Sequence, residues 1–328
     1  TRVAPVSPEA AMNWRPAADI GRLRARAELL ANIRRFFHGR DFLEVETPLL
    51  CQAGITDPTV EPLRVDRGRS VSAPRYLQTS PEYAMKRLLA AGSGPIFQVA
   101  RAFRDGEAGS RHNPEFTLLE WYRPEFDHHQ LMAETADLVR ECLGTSEQEK
   151  CSYRDLFREI LDIDPFTASL EALEAAARQH LDLGGMSGDR DLWLDLLMSH
   201  LIEPQLKTRG LCFVYDYPAS QAALARIVAS DDVLVGQRFE LYVEGVELAN
   251  GYCELTDPAE QRARFERDNA RRREHGLPEH PLDEALLAAM AHGLPPCSGV
   301  ALGVDRLLML ATSATDIRQV LAFDWERA

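Results

Sequence analysis

Between Phe103 and Tyr122 the chain reads FRDGEAGSRHNPEFTLLEWY. Arg104 and Arg111 offer planar donor forks that match phosphate or carboxylate oxygens. His112 and Asn113 add shorter donors, and Phe116 presents a flat apolar face suited to a purine ring. The chemistry points to a polyphosphate ligand. A surface hairpin with solvated charges is the competing reading of this stretch taken by itself.

The elements that must position these groups can be read from spacing. Ile96-Phe97-Gln98-Val99 leads into the stretch and Thr117 to Tyr122 leads out, two β-rich runs around a loop too long and too charged for a simple turn. Upstream, apolar residues at helical spacing run from Ile20 to Phe37, with Asp19 as N-cap and Gly39 as C-cap. A strand is expected from Phe42 to Leu50, with Pro48 ending it or lying at an edge. Tyr76 to Thr79 reads as a strand. Ser80 then caps a helix with Pro81 at its first position, carrying Met85, Leu88 and Leu89 inward. By pattern, Glu82 is a first-turn carboxylate favoured by the helix dipole.

Downstream, Asp127 and Gln130 form a capping box, and Gly144 ends that helix. Residues 145–210 are expected to hold at least two helices, around Leu170–His180 and Arg190–Leu206. The stretch 127–210 is read as a helical insertion beside the sheet. Strands resume at Cys212–Tyr217, Arg238–Val243 and Val246–Tyr252, the last two joined by a Glu244-Gly245 turn. Glu240 and Glu247 lie on the two arms of that hairpin. Asn250, Tyr252 and Glu254 share one strand face. Asp257 caps a highly charged helix to about His275, expected to be a solvated face. A glycine-containing strand, Cys297 to Gly303, runs into a helix opening with Asp305-Arg306, where backbone N–H groups favour anions. Strands and helices without regular βαβ order predict an α+β fold with a mostly antiparallel sheet. Residues 1–18, rich in Pro and Ala, are expected to be irregular, and 19–328 to form one domain.

The chain has 328 residues, 45% hydrophobic, enough for one large domain or two small ones. No run approaches the roughly 20 apolar residues that span a bilayer, and the N-terminus lacks a signal pattern. A cytoplasmic protein with no membrane partner is the expectation. The six cysteines show no C-x-x-C spacing, so a zinc site or redox dithiol is not expected. With 51 acidic and 37 basic residues the net charge is −14, which argues against extensive tRNA binding, although Arg262 to Arg273 could supply a basic patch.

The core RHNPEFTL, with Phe103-Arg104 before it and Glu120 and Tyr122 after it, resembles motif 2 of the lysine branch of class II aminoacyl-tRNA synthetases. The helix, strand and Pro48 resemble motif 1, and the Cys297–Leu310 junction resembles motif 3. Trp121-Tyr122-Arg123-Pro124 is more similar to an offshoot of that branch, which attaches (R)-β-lysine to elongation factor P instead of charging tRNA. The resemblance covers nearly the whole chain. It implies a six- or seven-stranded antiparallel sheet flanked by helices, and a homodimer built through motif 1. No anticodon-binding domain is expected before motif 1.

The resemblance also implies an AMP-forming ligase. Arg104 would bridge the substrate carboxylate and the α-phosphate of ATP, where two anions must meet. No general base is needed, because that carboxylate is already ionised at neutral pH. Nucleotide contacts would come from Arg104, Asp105, Gly106, Arg111, His112, Asn113, Phe116, Glu247, Leu248, Gly303 and Arg306, with adenine between Phe116 and Arg306. Gly106 stands where the family usually has a glutamate that touches adenine, leaving Glu107 or backbone to do so. Glu240 and Glu247 match the positions that hold Mg2+.

The substrate's ammonium groups would meet Glu82, Glu120, Tyr122, Asn250 and Glu254, in a pocket walled by Ser80, Pro81 and Ala301. Acids so grouped would repel one another without a diamine. Ser80 and Ala301 replace the usual Ala and Gly, a change expected to fit an amino group on the β-carbon. A lysyl-tRNA synthetase core acting on tRNA, and a non-catalytic regulator that binds lysine or nucleotide, are the alternatives.

Overall fold

A computed structural model describes residues 14–66, 74–145 and 147–328. Residues 1–13 of the expected irregular segment lie outside the described residues. Helix α1 (Ile20–His38) starts on Asp19, whose carboxylate accepts the Arg22 N–H at 2.9 Å. Strand β1 (Leu43–Glu44) follows, then β2 (Leu50–Cys51), β3 (Arg64–Val65) and β4 (Arg75–Leu77), the last three forming a small sheet in the order β2-β4-β3. The single strand expected over Phe42–Leu50 is therefore broken. Its two ends pair with different sheets, and Pro48 between them has no N–H to give to a ladder.

Helix α2 (Glu82–Ala90), β5 (Ile96–Phe103), β6 (Glu115–Pro124) and α3 (His128–Leu143) come next. Pro81, not Ser80, occupies the N-cap of α2, yet the Ser80 Oγ still accepts the Glu82 N–H at 3.0 Å. The capping box on α3 forms in both directions, and Gly144 ends the helix with φ of 71°. Strand β7 (Gln148–Ser152) and α4 (Tyr153–Leu161) follow, then α5 (Leu170–His180) and α6 (Arg190–Leu197). The helix expected to Leu206 changes character after Leu197, into a π turn (Met198–Ile202) and a 3-10 turn (Glu203–Thr208) containing Pro204, which cannot donate an N–H. The chain closes with β8 (Leu211–Pro218), β9 (Ile227–Ser230), β10 (Val233–Val243), β11 (Val246–Cys253), α7 (Pro258–Glu274), α8 (Glu284–Gly293), β12 (Cys297–Gly303) and α9 (Val304–Ala311).

The main sheet has the order β1-β5-β6-β12-β11-β10-β8-β7, with β9 added on β10. Its six inner strands, β5 to β8 in that order, are antiparallel, as expected, while β1 and β7 add parallel pairs at the two edges. Alternation divides the two faces. Leu119 and Trp121, Phe239 and Leu241, and Val300 and Leu302 point into one core with α1, α3 and α9. There Phe37 stacks on Phe97 at 4.6 Å and meets Trp121 at 5.2 Å. Their neighbours Glu120, Tyr122, Arg238, Glu240, Gly299 and Ala301 line a cleft on the opposite face. A second core joins α4, α5 and α6 to Cys212, Val214 and Tyr242.

Helix α7 is not the solvated face its composition predicts. Gln261, Arg264, Phe265, Asn269 and Arg272 are buried. Arg272 is fully enclosed because the carbonyls of Asp57 and Pro278 and the Glu61 carboxylate accept its protons. Arg262, Arg271 and Arg273 pair with Glu284, Asp191 and Glu279, so the expected basic patch is largely neutralised.

Candidate active site

The cleft has a volume of about 810 Å³. At one end three carboxylates converge from three elements: Glu82 opens α2, Glu120 lies on β6, and Glu254 follows β11. Ser80 donates to Glu120 at 2.7 Å, and the Tyr122 hydroxyl donates to the other Glu120 oxygen at 2.7 Å. Burial pushes Glu120 up to about 7, with Glu82 adding to the shift. Burial likewise pushes Glu254 up to about 8, against the pull of Lys86.

Lys86 is the residue that sequence reasoning missed. Its Nζ lies 2.6 Å from Glu82 and 2.5 Å from Glu254, and its side chain is 1% exposed. Burial opposes its charge, but Glu254 and Glu82 hold it protonated, above the ordinary lysine value. The acids are thus not bare: an internal ammonium already stands among them. The i,i+4 spacing of Glu82 and Lys86 was a readable signal for half of this arrangement.

Sheet register sets the pocket walls. Ala301 sits opposite Glu120 on one side and Asn250 on the other. Gly299 sits beside Tyr122, and a Cβ there would meet the Tyr122 ring at 2.2 Å and Glu254 at 2.7 Å. Only glycine lets that tyrosine and carboxylate approach the strand so closely.

The other end of the cleft gathers Arg104, Glu107, Arg111, His112, Phe116, Glu247, Leu248, Gly303 and Arg306. The Arg104 guanidinium lies 5.1 Å over the Phe116 ring and 3.6 Å from Glu107. Its Nε is buried with no partner among the described residues, as a donor awaiting a ligand would be. Arg306 donates to the Glu247 carbonyl at 2.7 Å and to His112 Nε2 at 2.7 Å. Burial and then Arg306 lower His112, so its ring is neutral and accepts that proton. The expected pairing of Phe116 and Arg306 around a purine is therefore modified: Arg104 takes one face of the ring, and Arg306 is tethered.

Three expected nucleotide contacts are placed differently. Asn113 lines the cleft, but its amide donates to the Glu115 carbonyl at 2.6 Å and accepts the Trp325 N–H at 3.0 Å, so it is spent on the chain itself. Asp105 and Gly106 lie outside the cleft lining; the Asp105 carboxylate accepts the Gly106 N–H at 2.9 Å, and Gly106 turns with φ of 76°. Pro81 is also outside the lining, as the N-cap of α2. Ser80, Glu82, Glu120, Tyr122, Asn250, Glu254 and Ala301 are all brought together.

Between the two ends lie Glu240, Glu247 and, unforeseen, Glu203. Glu240 accepts from the Tyr217 hydroxyl at 2.7 Å, from Tyr242 at 2.5 Å and from Arg238. Burial raises Glu247, with Glu240 next in effect. Burial pushes Glu203 up to about 7, followed by Glu240 and Glu247. Carboxylates that raise one another form a site where added positive charge is favourable. Among the described residues no group of three or more His, Cys, Asp or Glu is arranged to hold a metal ion. A cation here would be completed by oxygens from a ligand.

Comparison with known proteins places the chain in a family. The family model for tRNA synthetases class II (D, K and N) matches residues 11–327. The chain is 50% identical over 320 residues to the elongation factor P–(R)-beta-lysine ligase of Pseudoalteromonas translucida, covering 96% of this chain and 98% of that protein. It is 52% identical to the ligase of that name from Proteus mirabilis and 51% identical to that from Sodalis glossinidius, each over 322 residues and with the same coverage. The sheet, the cleft and these matches agree, and the chain belongs to the class II tRNA synthetases of the D, K and N type.

Proposed function

We propose that the protein activates (R)-β-lysine with ATP as an adenylate and transfers it to a lysine ε-amino group of elongation factor P. The observation that carries the reading is the bipolar cleft, acidic at one end and guanidinium-rich at the other. Its relatives' names supply the substrate and the acceptor.

In this reading Glu120 and Glu254 meet the substrate's tail ammonium, and Glu82 its other amino group. Ser80 and Tyr122 hold Glu120 in place. Asn250 and Ala301 shape the wall. Arg104 turns its unpartnered Nε toward the approaching carboxylate and α-phosphate. Arg111, His112 and Arg306 meet phosphate oxygens, and Phe116 and Leu248 the purine. Glu240 and Glu247 would hold Mg2+, which would supply positive charge against the phosphates.

Two further features fit the reading. Leu43, Leu49 and Leu50 are 54%, 40% and 39% exposed on the motif 1 segment, which supports a homodimer. The net charge of −14 and the paired arginines of α7 speak against tRNA as acceptor. No helix among the described residues is long and apolar enough to cross a membrane, and a translation factor as acceptor makes the cytoplasm the expected compartment.

Intact-mass measurement of elongation factor P after incubation with the protein, ATP–Mg2+ and each lysine isomer tests the proposal. A mass gain of one lysine unit, larger with the (R)-β isomer, is expected. Acylation of tRNA without modification of elongation factor P would overturn it.

A further inference from the structure

The cleft has a third arm that neither the amino acid nor the nucleotide occupies in the reading above. It is lined by Asp191 and Asp195 on α6, by Ser220 and Gln221 after β8, and by Tyr153 at the start of α4. The Tyr153 hydroxyl is the telling group. The side chain is 1% exposed, yet its oxygen has no partner among the described residues. Buried hydroxyls are nearly always satisfied, so one left open at a cavity wall marks a place for a polar ligand.

A hydrogen-bonded row connects this arm to the amino-acid pocket. The Asn250 carboxamide oxygen accepts from Arg238 Nε at 3.3 Å, and Arg238 donates to the Gln221 carbonyl at 2.8 Å. Gln221 Nε2 donates to one Asp195 oxygen at 2.7 Å. Asp195 is exposed to the cleft, and no cation pairs with it among the described residues. Asp191 accepts from Ser220 at 2.6 Å and lies 3.8 Å from Arg271, so part of its charge is already answered. The row therefore runs from Asp195, at an exposed acidic edge of the cleft lining, to Asn250 in the amino-acid pocket.

We propose that this arm receives the ε-ammonium of the acceptor protein's lysine, with Asp195 binding it on entry and taking one proton before the freed amine moves along the row to attack. The inference rests on the transfer reaction proposed above. The freed amine nitrogen forms the new C–N bond to the adenylate carbonyl carbon. The C–O bond to phosphate breaks, AMP leaves with its electron pair, and the second nitrogen proton passes to water in the arm. The Tyr153 hydroxyl gives the incoming nitrogen a second oxygen partner. An acidic arm also favours a charged lysine tip over neutral side chains.

The test separates activation from transfer. Asp195→Asn keeps shape and removes the charge. Three rates are compared with the unaltered protein: lysine-dependent ATP–pyrophosphate exchange, hydroxamate formation with hydroxylamine, and modification of elongation factor P by intact mass. Hydroxylamine is uncharged at neutral pH and needs no acidic guide. The expected result is kcat/KM for elongation factor P down at least tenfold, with exchange and hydroxamate formation within twofold. Asp191→Asn, on the partly neutralised side, is expected to lose less than Asp195→Asn, and gives the same readout should the first variant fold poorly.

Transfer to elongation factor P within twofold of normal in both variants would overturn the inference, as would an equal fall in hydroxamate formation. Failure of the unaltered protein to modify elongation factor P at all would instead remove the reading beneath it, and this inference with it.

Discussion

Replacing Lys86 with methionine tests the electrostatic design of the acid pocket. The side chain keeps its length and loses its charge, in a place where 1% of it is exposed. Glu254, itself 2% exposed, loses the ammonium 2.5 Å away, and Glu82 loses one at 2.6 Å. Removing one partner of a buried pair costs about 3–5 kcal/mol. At roughly 2 °C per kcal/mol for a chain of this size, Tm should fall by about 6–10 °C. Glu254→Gln leaves Lys86 paired to Glu82, so its cost should be smaller, about 1–3 kcal/mol. In Lys86→Met/Glu254→Gln neither an orphan carboxylate nor an orphan ammonium remains at that contact. The double variant should then be more stable than the sum of the single losses by about 1–3 kcal/mol. Substrate binding should follow the charge. Without Lys86 the pull against burial is lost, so Glu254 rises further above about 8, still less of it is ionised at pH 7, and KM for lysine in pyrophosphate exchange rises by roughly 10–100-fold. Thermal unfolding and exchange kinetics on the four proteins decide the matter. Strictly additive stability losses, or an unchanged KM in Lys86→Met, would refute the view that this lysine holds Glu254 down against its burial.

Arg104→Ala should lower pyrophosphate exchange by roughly 100–1,000-fold, while Tm moves little, because among the described residues the side chain's one ion pair is a 3.6 Å contact with Glu107. An exchange rate within tenfold of normal would remove Arg104 from the centre of the chemistry. With Glu120 pushed up to about 7 and Glu254 up to about 8, both carboxylates ionise as pH rises, so KM for the dicationic amino acid should fall between pH 6 and 8 and then level off. The sign for stability is opposite: the folded state holds more protons than the unfolded one in this window, so the ligand-free protein loses stability from these groups as pH rises from about 5 to 8. A flat KM profile across that range would contradict it. Ser80→Ala with Ala301→Gly removes the Glu120 hydrogen bond and opens the wall opposite Glu120 and Asn250, and should shift the kcat/KM ratio toward α-lysine by about tenfold. A ratio unmoved by twofold or more would make both residues bystanders.

Much of this site was legible because alternation and turn chemistry are local. Asn250, Tyr252 and Glu254 follow from a two-residue repeat, and the Glu244-Gly245 turn from residues that accept φ of 52° and 71°. The hairpin of β9 and β10 was not foreseen, because its turn is Asp231-Asp232, both at positive φ without a glycine. Strand β7 escaped notice because its five residues, QEKCS, carry no alternating apolar signal and gain order only from β8 beside it.

The larger omissions share one cause. Lys86 and Arg272 are buried and Arg238 half-buried, their charges met by partners elsewhere in the chain: Glu254 for Lys86, Glu61 and the Asp57 carbonyl for Arg272, and the Gln221 carbonyl for Arg238. Asn113 is claimed by the backbone of Trp325 in the same way. A hydropathy pattern assigns such residues to solvent, since it has no means of knowing that a counter-charge will arrive from another element. That blindness falls hardest on the active site, where burying ionised groups is the purpose. The acids of the pocket were readable one by one. Their charge balance was not, because the ammonium that sets it becomes their neighbour only when α2 packs against the end of β11. A diamine pocket must therefore be reasoned from the count of charges after folding, and here that count includes a lysine of the protein's own.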